Sequence, residues 1–285
     1  MIRRAESEAD LSTWCDVWNA ITPREPVRVE DQVRRLARQP ERLQLVTGGV
    51  GAGLVAPSDS SGRLFVMVRV VPEARRRGVG SALFERLLEH ARDLDPEWLS
   101  THVSGAEPES IAWAKRRGFA EYGRQVELVL ALRGDEQQPE PIDSIHVVEL
   151  TEELHDDAYE LTREAWADLP TDVQVDTPSY EVWLEEEIPG PVAFVALAGD
   201  EVVGFAALME RGPGRLEHGL TATRRSHRRR GIATMLKRTE IAWAAEHGYR
   251  ELITFTQDRN ESMQAINLAL GFRPEPPWIS MRRRP

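Results

Sequence analysis

Short alternating runs of apolar and polar residues mark strands along this chain, longer runs with helical spacing lie between them, and the whole order repeats. The first pass predicts a strand at Ile2–Arg4 and helices around Leu11–Ala20 and Val29–Arg38. Leu43–Thr47 and Val50–Ala56 make a hairpin across Gly48-Gly49. Leu64–Val70 alternates as a strand, and Val79–Asp93 carries Leu83, Leu87, Leu88 and Ala91 at helical spacing. A strand at Trp98–Val103 and a helix at Ser110–Arg117 follow, and Gly118-Phe119 opens a strand pair ending near Leu132. The second pass places a strand at Ile145–Leu150, helices at Ala158–Ala167 and Tyr180–Glu187, and a hairpin of Val192–Leu197 with Val202–Met209. Leu216–Thr223 is then a strand, Ile232–His247 a long helix, Leu252–Thr256 a strand, Met263–Leu270 a helix and Trp278–Met281 a final strand. Between the passes, Gly134–Pro141 is polar, aperiodic and proline-containing, as linkers are. The expected domains are residues 1–133 and 144–285, joined by a linker at 134–143.

A length of 285 residues suits two domains of roughly 140 each. No apolar run approaches the ~20 residues of a membrane span, and the N-terminus lacks the apolar core of a signal peptide. Cys15 is the only cysteine, so an intrachain disulfide and a cysteine-rich metal site are both excluded. The seven histidines show no ligand spacing, and no metal is expected. These features predict a cytoplasmic protein. Charge divides unevenly: residues 1–134 have a net of +1, and residues 135–285 a net of −12, which together give the chain's −11. An acidic half disfavours nucleic acid and suits a cationic small-molecule partner, although solubility alone accounts for it equally well.

The chemistry lies in a segment present once in each pass. Val70-Val71-Pro72-Glu73-Ala74-Arg75-Arg76-Arg77-Gly78-Val79-Gly80 returns as Thr223-Arg224-Arg225-Ser226-His227-Arg228-Arg229-Arg230-Gly231-Ile232-Ala233. Both copies join a predicted strand to a predicted helix. A helix N-terminus offers unpaired N–H groups and the positive end of its dipole. Gly78 and Gly80, or Gly231 and Ala233, keep side chains away so that phosphate oxygens reach that backbone. The arginines Arg75–Arg77 and Arg228–Arg230 add charge-assisted hydrogen bonds. A Walker A loop is excluded because neither copy has Gly-Lys-Ser/Thr. A dinucleotide fingerprint is excluded because Leu83 and Leu236 replace its third glycine.

Arg75–Gly80 and Arg228–Ala233 match Gln/Arg-x-x-Gly-x-Gly/Ala, and on these residues the chain resembles two tandem members of the GNAT acetyltransferase superfamily. The doubled arrangement is similar to that of mycothiol synthase and related actinobacterial enzymes. The resemblance implies an α/β class of α+β type, with two GNAT folds, each a mixed and largely antiparallel sheet flanked by helices. It implies acetyl-CoA as co-substrate, held by the loop residues Arg75, Arg76, Arg77, Gly78, Val79 and Gly80 and by Arg228, Arg229, Arg230, Gly231, Ile232 and Ala233. It also implies that the pantetheine arm runs along backbone at Val68 and Val70, or at Thr221 and Thr223.

Acetyl transfer to an amine requires the free base, and a carboxylate takes the proton that an ammonium must lose. In several family members a glutamate eleven residues ahead of the loop arginine does this. That position is Glu217 in the second half and Leu64 in the first. His218 points to the opposite face of an ideal strand, and a bulge would reverse the two. Asn260, in a stretch resembling the family's coenzyme-lining Asn-x-x-Met…Gly-Phe segment, either bonds the pantetheine or caps a helix. Asn267 and Ala114 stand where many family members have a thiolate-protonating tyrosine. Asn267 donates a hydrogen bond to sulfur but gives up no proton. These residues predict chemistry in the second half, a first half that binds without turnover, and a small-molecule primary amine as acceptor. A mycothiol-synthase-like enzyme and a non-catalytic acyl-CoA sensor are the alternatives. Trp14, Trp18, Trp166 and Trp183 read as core anchors, and Arg282-Arg283-Arg284 as a solvated tail.

Overall fold

The computed structural model describes residues 1–24, 26–58, 62–168, 177–257 and 260–285. The chain forms two compact units, Met1–Gly123 with Trp278–Pro285, and Arg124–Pro277.

Unit 1 contains β1 (Ile2–Arg4), α1 (Glu8–Ile21), α2 (Val29–Arg38), β2 (Leu43–Thr47), β3 (Gly51–Pro57), β4 (Arg63–Val70), α3 (Val79–Asp93), β5 (Trp98–Ser104) and α4 (Pro108–Lys115). A long strand, β6 (Ala120–Ala131), leads onward. Unit 2 continues with β7 (Ile145–Glu149), α5 (His155–Ala167), α6 (Tyr180–Glu186), β8 (Val192–Ala198), β9 (Glu201–Glu210) and β10 (Arg215–Thr223). It closes with α7 (Ile232–Glu246), β11 (Glu251–Gln257), α8 (Glu261–Ala269) and the short β12 (Arg273–Pro274). The last strand, β13 (Trp278–Arg283), belongs to unit 1.

Within unit 1 the strand order is β1-β2-β3-β4-β5-β13, and within unit 2 it is β7-β8-β9-β10-β11-β6. Neighbours are antiparallel except β4 with β5 and β10 with β11, each pair joined by a helical crossover. The sixth strand of each sheet therefore comes from the opposite half of the sequence. Unit 1 takes β13, whose Ile279 and Met281 are buried among Leu64, Leu99 and Phe119, and unit 2 takes Gln125–Ala131 of β6. The compositional boundary at 134–143 thus falls inside unit 2, because strand pairing and buried side chains, not linker composition, decide the units. Two other expectations change. The strand pair predicted after Phe119 is one continuous strand with no turn. Arg282 and Arg283 lie in β13 and not in a solvated tail: Arg282 stacks on Trp98, and Arg283 donates to the Arg117 carbonyl at 2.7 Å.

Each sheet has helices on both faces. In unit 1, α1 and α2 cover one side through Leu11, Trp14 and Leu36, while α3 and α4 cover the other through Leu83, Leu87 and Ala114. In unit 2, α5 and α6 bury Leu161 and Trp183, and α7 buries Ile232, Met235 and Leu236. The helix after each loop sits close on its sheet. A Cβ on Gly51 would stand 2.8 Å from Val79, and one on Gly204 would stand 2.8 Å from Ile232. Trp14 and Trp183 are core anchors; the Trp14 indole N–H donates to the Gly53 carbonyl at 3.0 Å.

Candidate active site

The two loops share a backbone shape. Arg76 has φ 64° and Arg229 φ 62°, while the N-cap residues Gly78 and Gly231 have φ 83° and 86°. Left-handed residues alternating with right-handed ones turn successive N–H groups into one concave nest for an anion. Neither helix that follows has a side-chain cap, which leaves its first N–H groups facing the loop. Holding an arginine at positive φ costs about 1–3 kcal/mol, a strain that structures retain at ligand sites. A Cβ on Gly80 meets only ordinary contacts, which fits the alanine at the matching position, Ala233.

Beyond each loop the two parallel strands part. β4 and β5 pair from Arg63–Trp98 as far as Phe65–Ser100, and β10 and β11 from Arg215–Glu251 as far as His218–Thr254, after which the strands of each pair diverge. In unit 1 this opens a cavity of about 840 Å³, lined by Gly78 and Gly80 at one end and by Val66, Phe84, Ala114 and Phe119 at the other. In unit 2, β10 carries one extra residue between His218 and Thr221, a bulge that β4 lacks. The bulge changes which residues correspond. Glu217 pairs with Met209 as Phe65 pairs with Ala56, so Phe65, and not Leu64, occupies its place in unit 1. Counting back from the loop misses this by one residue. The bulge follows both Glu217 and His218, so they keep opposite faces.

Glu217 is 8 % exposed and faces Arg211, whose Nε donates to it at 2.5 Å. A second carboxylate, Glu187, stands near it after α6. The chain there crosses β9 closely: a Cβ on Gly190 would lie 1.6 Å from the Leu208 carbonyl oxygen. Burial, Glu186 and Glu217 push the Glu187 carboxyl up to about 7. One of these two neighbouring carboxylates is thus held by an arginine and the other titrates near neutrality.

A profile of the Acetyltransferase (GNAT) family matches residues 15–119 and again residues 151–272. The chain belongs to this acetyltransferase family. No curated protein matches it significantly in sequence. Among solved structures, a tandem GNAT protein from the clavulanic acid biosynthesis pathway superposes with a TM-score of 0.80 at 22 % identity, covering 100 % of this chain and 98 % of its own. A GCN5-related N-acetyltransferase from Sphaerobacter thermophilus gives 0.77 at 20 % identity, covering 100 % and 96 %. A Pyrococcus horikoshii acetyltransferase gives 0.58 at 19 %, covering 100 % and 89 %. These structures share the fold.

In this GNAT chain the loop arginines divide their work. Arg75 Nε donates to the Val70 carbonyl, and Arg228 Nε to the Thr223 carbonyl, each at 3.1 Å. Those two carbonyls, expected along the pantetheine path, are thus engaged in pinning loop to strand. Arg228 also pairs with Asp168, which holds Arg225 from a second side. The two guanidinium groups drive the Asp168 carboxyl far below the usual range. Since that carboxylate opposes an incoming phosphate, Asp168→Asn should tighten coenzyme binding several-fold at low salt and less at high salt, as read by calorimetry. Arg76, Arg77, Arg229 and Arg230 are exposed. Asn260 caps α8, its Oδ1 accepting from the Met263 N–H at 3.3 Å, while Asn267 is fully buried with neither amide atom partnered. Thr221 and Thr223 have buried hydroxyls, also without partners.

Sequence reasoning missed Asp168 and Glu187, which lie at the ends of helices with no motif around them. It also missed Lys237 and Glu240, although charges on the buried face of α7 were a readable signal. Among the described residues, no His, Cys, Asp and Glu group is arranged to hold a metal ion, and no helix is long and apolar enough to cross a membrane. Glu187 has a pH signature. Its raised pKa means that the folded chain binds more protons than the unfolded chain between about 4.5 and 7. The resulting stability is complete below 4.5 and lost as pH rises through 7. Glu187→Gln should remove roughly 2 kcal/mol of that pH dependence, measured by urea unfolding at pH 5 and pH 8.

Proposed function

We propose that the chain transfers an acetyl group from acetyl-CoA to the primary amine of a small molecule, with both loops binding coenzyme and unit 2 performing the chemistry. The observation that carries this reading is the asymmetry of β10 and β4. Unit 2 has Glu217, a bulge and a neighbouring carboxylate in Glu187, where unit 1 has Phe65 on an unbroken strand. Glu217 takes a proton from the bound ammonium and frees its lone pair for direct attack on the thioester carbonyl. The bulge leaves Gly219 and Leu220 outside the β9–β10 ladder, so their N–H groups serve to polarise the carbonyl oxygen. A site with two carboxylates and one arginine suits an acceptor that arrives as a cation. Unit 1, whose open cleft has an apolar inner end at Val66, Phe84 and Ala114, binds coenzyme without turning it over.

Two measurements test this. Calorimetry with coenzyme A should give two sites per chain. Release of free thiol from acetyl-CoA, followed across a panel of primary amines that includes a sugar-linked cysteine, should find at least one accepted amine. Binding without thiol release on any amine would identify a sensor, and acceptance of the cysteine amine alone would identify a mycothiol-synthase-like enzyme.

A further inference from the structure

On the α7 side of β10 lies a group of buried polar side chains that the reaction above leaves unused. His218 Nδ1 meets the Glu240 carboxylate at 2.5 Å, and both side chains are fully enclosed. Lys237, one turn earlier on α7, is 1 % exposed. The His218 ring packs against Phe272, whose N–H donates to the Asn267 carbonyl at the end of α8. Five buried polar atoms here have no partner: His218 Nε2, the second Glu240 oxygen, both Asn267 amide atoms and Thr256 Oγ1. Native interiors rarely leave so many groups unpaired, and a cluster of them marks a place where something polar enters.

Unit 1 shows where that place is. Strand pairing and the helix starts match His218 with Val66, Lys237 with Phe84, Glu240 with Leu87, Thr256 with Val103 and Asn267 with Ala114. Four of these unit 1 residues, Val66, Phe84, Val103 and Ala114, line the inner end of the open cleft, opposite the phosphate loop. In unit 2 the same wall is polar. A coenzyme whose pyrophosphate rests on the loop brings its sulfur to this inner end.

We propose that His218, oriented by Glu240, carries a proton from the attacking nitrogen to the departing coenzyme sulfur in unit 2. The inference rests on the acetyl transfer proposed above. The amine loses two protons in all. Glu217 takes the first, before attack. The second leaves nitrogen as the C–N bond forms, passes to Nε2, and moves to sulfur as the C–S bond breaks and its electron pair goes to sulfur. The dyad is suited to this, because Glu240 accepts from Nδ1–H and fixes the tautomer with Nε2 bare. Burial, reinforced by the Lys237 ammonium and opposed by Glu240, lowers the imidazole pKa and keeps the ring neutral and ready to accept. Asn267, whose amide protons have no other acceptor, supplies a hydrogen bond to the sulfur while it carries charge.

The test compares two acetyl donors on the full chain: acetyl-CoA, whose thiolate needs a proton, and 4-nitrophenyl thioacetate, whose thiolate leaves without one. His218→Asn should lower kcat about 100-fold with acetyl-CoA, within the range of general acid–base catalysis, and less than about 5-fold with the activated thioester. Coenzyme binding should stay within about threefold of wild type. Glu240→Gln should show the same donor contrast at about a tenth of the size, and it decides alone if His218→Asn fails to bind coenzyme. Wild-type kcat in His218→Asn, or equal losses with both donors, would overturn the role. A wild-type chain that releases no thiol with any amine would overturn the acetyl-transfer reading as well, so the two failures are distinguishable.

Discussion

Glu217→Gln should lower kcat/KM for the accepted amine by about 10²–10³ at pH 7 while leaving coenzyme affinity unchanged. Glutamine keeps the volume and one acceptor oxygen, and the position is nearly enclosed on a paired strand, so the fold has little reason to move. What goes is the capacity to take a proton. A primary alkyl amine with a pKa near that of lysine, ~10.4, is protonated at pH 7 in all but about one molecule in 10³. The variant must wait for that fraction. Its deficit should therefore shrink as pH rises toward the amine pKa, a pattern that a packing defect would not produce. The control is Glu187→Gln, which removes the neighbouring like charge and should shift the pH optimum more than it lowers the maximal rate. A flat pH–rate ratio between Glu217→Gln and wild type would assign the proton to another group.

Much of the fold was legible because it rests on local patterns. The alternation at Leu64–Val70, the helical spacing at Val79–Asp93 and their repeats gave nearly the observed elements, since each buries one face of a strand or helix. The strand exchange was not legible. β6 and β13 both read as strands, and nothing in either local pattern says which sheet it joins; only three-dimensional pairing assigns each to its sheet. The loops were legible as strand-to-helix turns rich in glycine and arginine, but the left-handed Arg76 and Arg229 and the pinning role of Arg75 and Arg228 were not. The bulge in β10 was hidden for a similar reason. One inserted residue leaves the loop and helix motifs aligned and moves only the strand before them. Asp168 and Glu187 acquire their roles from residues far along the chain, a partnership that neither spacing nor composition encodes.

The second large effect lies in stability. Glu240→Leu copies Leu87 of unit 1, yet it should cost about 3–5 kcal/mol at pH 7, because the buried Lys237 ammonium loses the carboxylate that most favours its charge and His218 Nδ1 loses its partner. Lys237→Phe/Glu240→Leu copies both Phe84 and Leu87 and should recover most of that loss. It removes both buried charges together and fills the space with groups that unit 1 already packs; the loss that remains is the His218 Nδ1–H, left without its Glu240 acceptor in both variants. The pH dependence supplies the sign. In the wild type, burial pushes Lys237 down to about 8, with Glu240 and Glu217 opposing the shift. Between about 8 and 10.5 the unfolded chain holds a proton that the folded chain has released, so stability rises with pH across that window. With Glu240 gone, the lysine loses a charge that favoured its proton, and the window extends to lower pH. The single variant should therefore be hurt more at pH 6 than at pH 9, whereas the double variant should lack this slope. Urea unfolding of both at the two pH values measures the effect. If the double variant matches or exceeds wild-type stability while losing turnover, the buried charges of unit 2 are kept for the reaction and not for the fold. A double variant as unstable as the single one would instead give them a structural role.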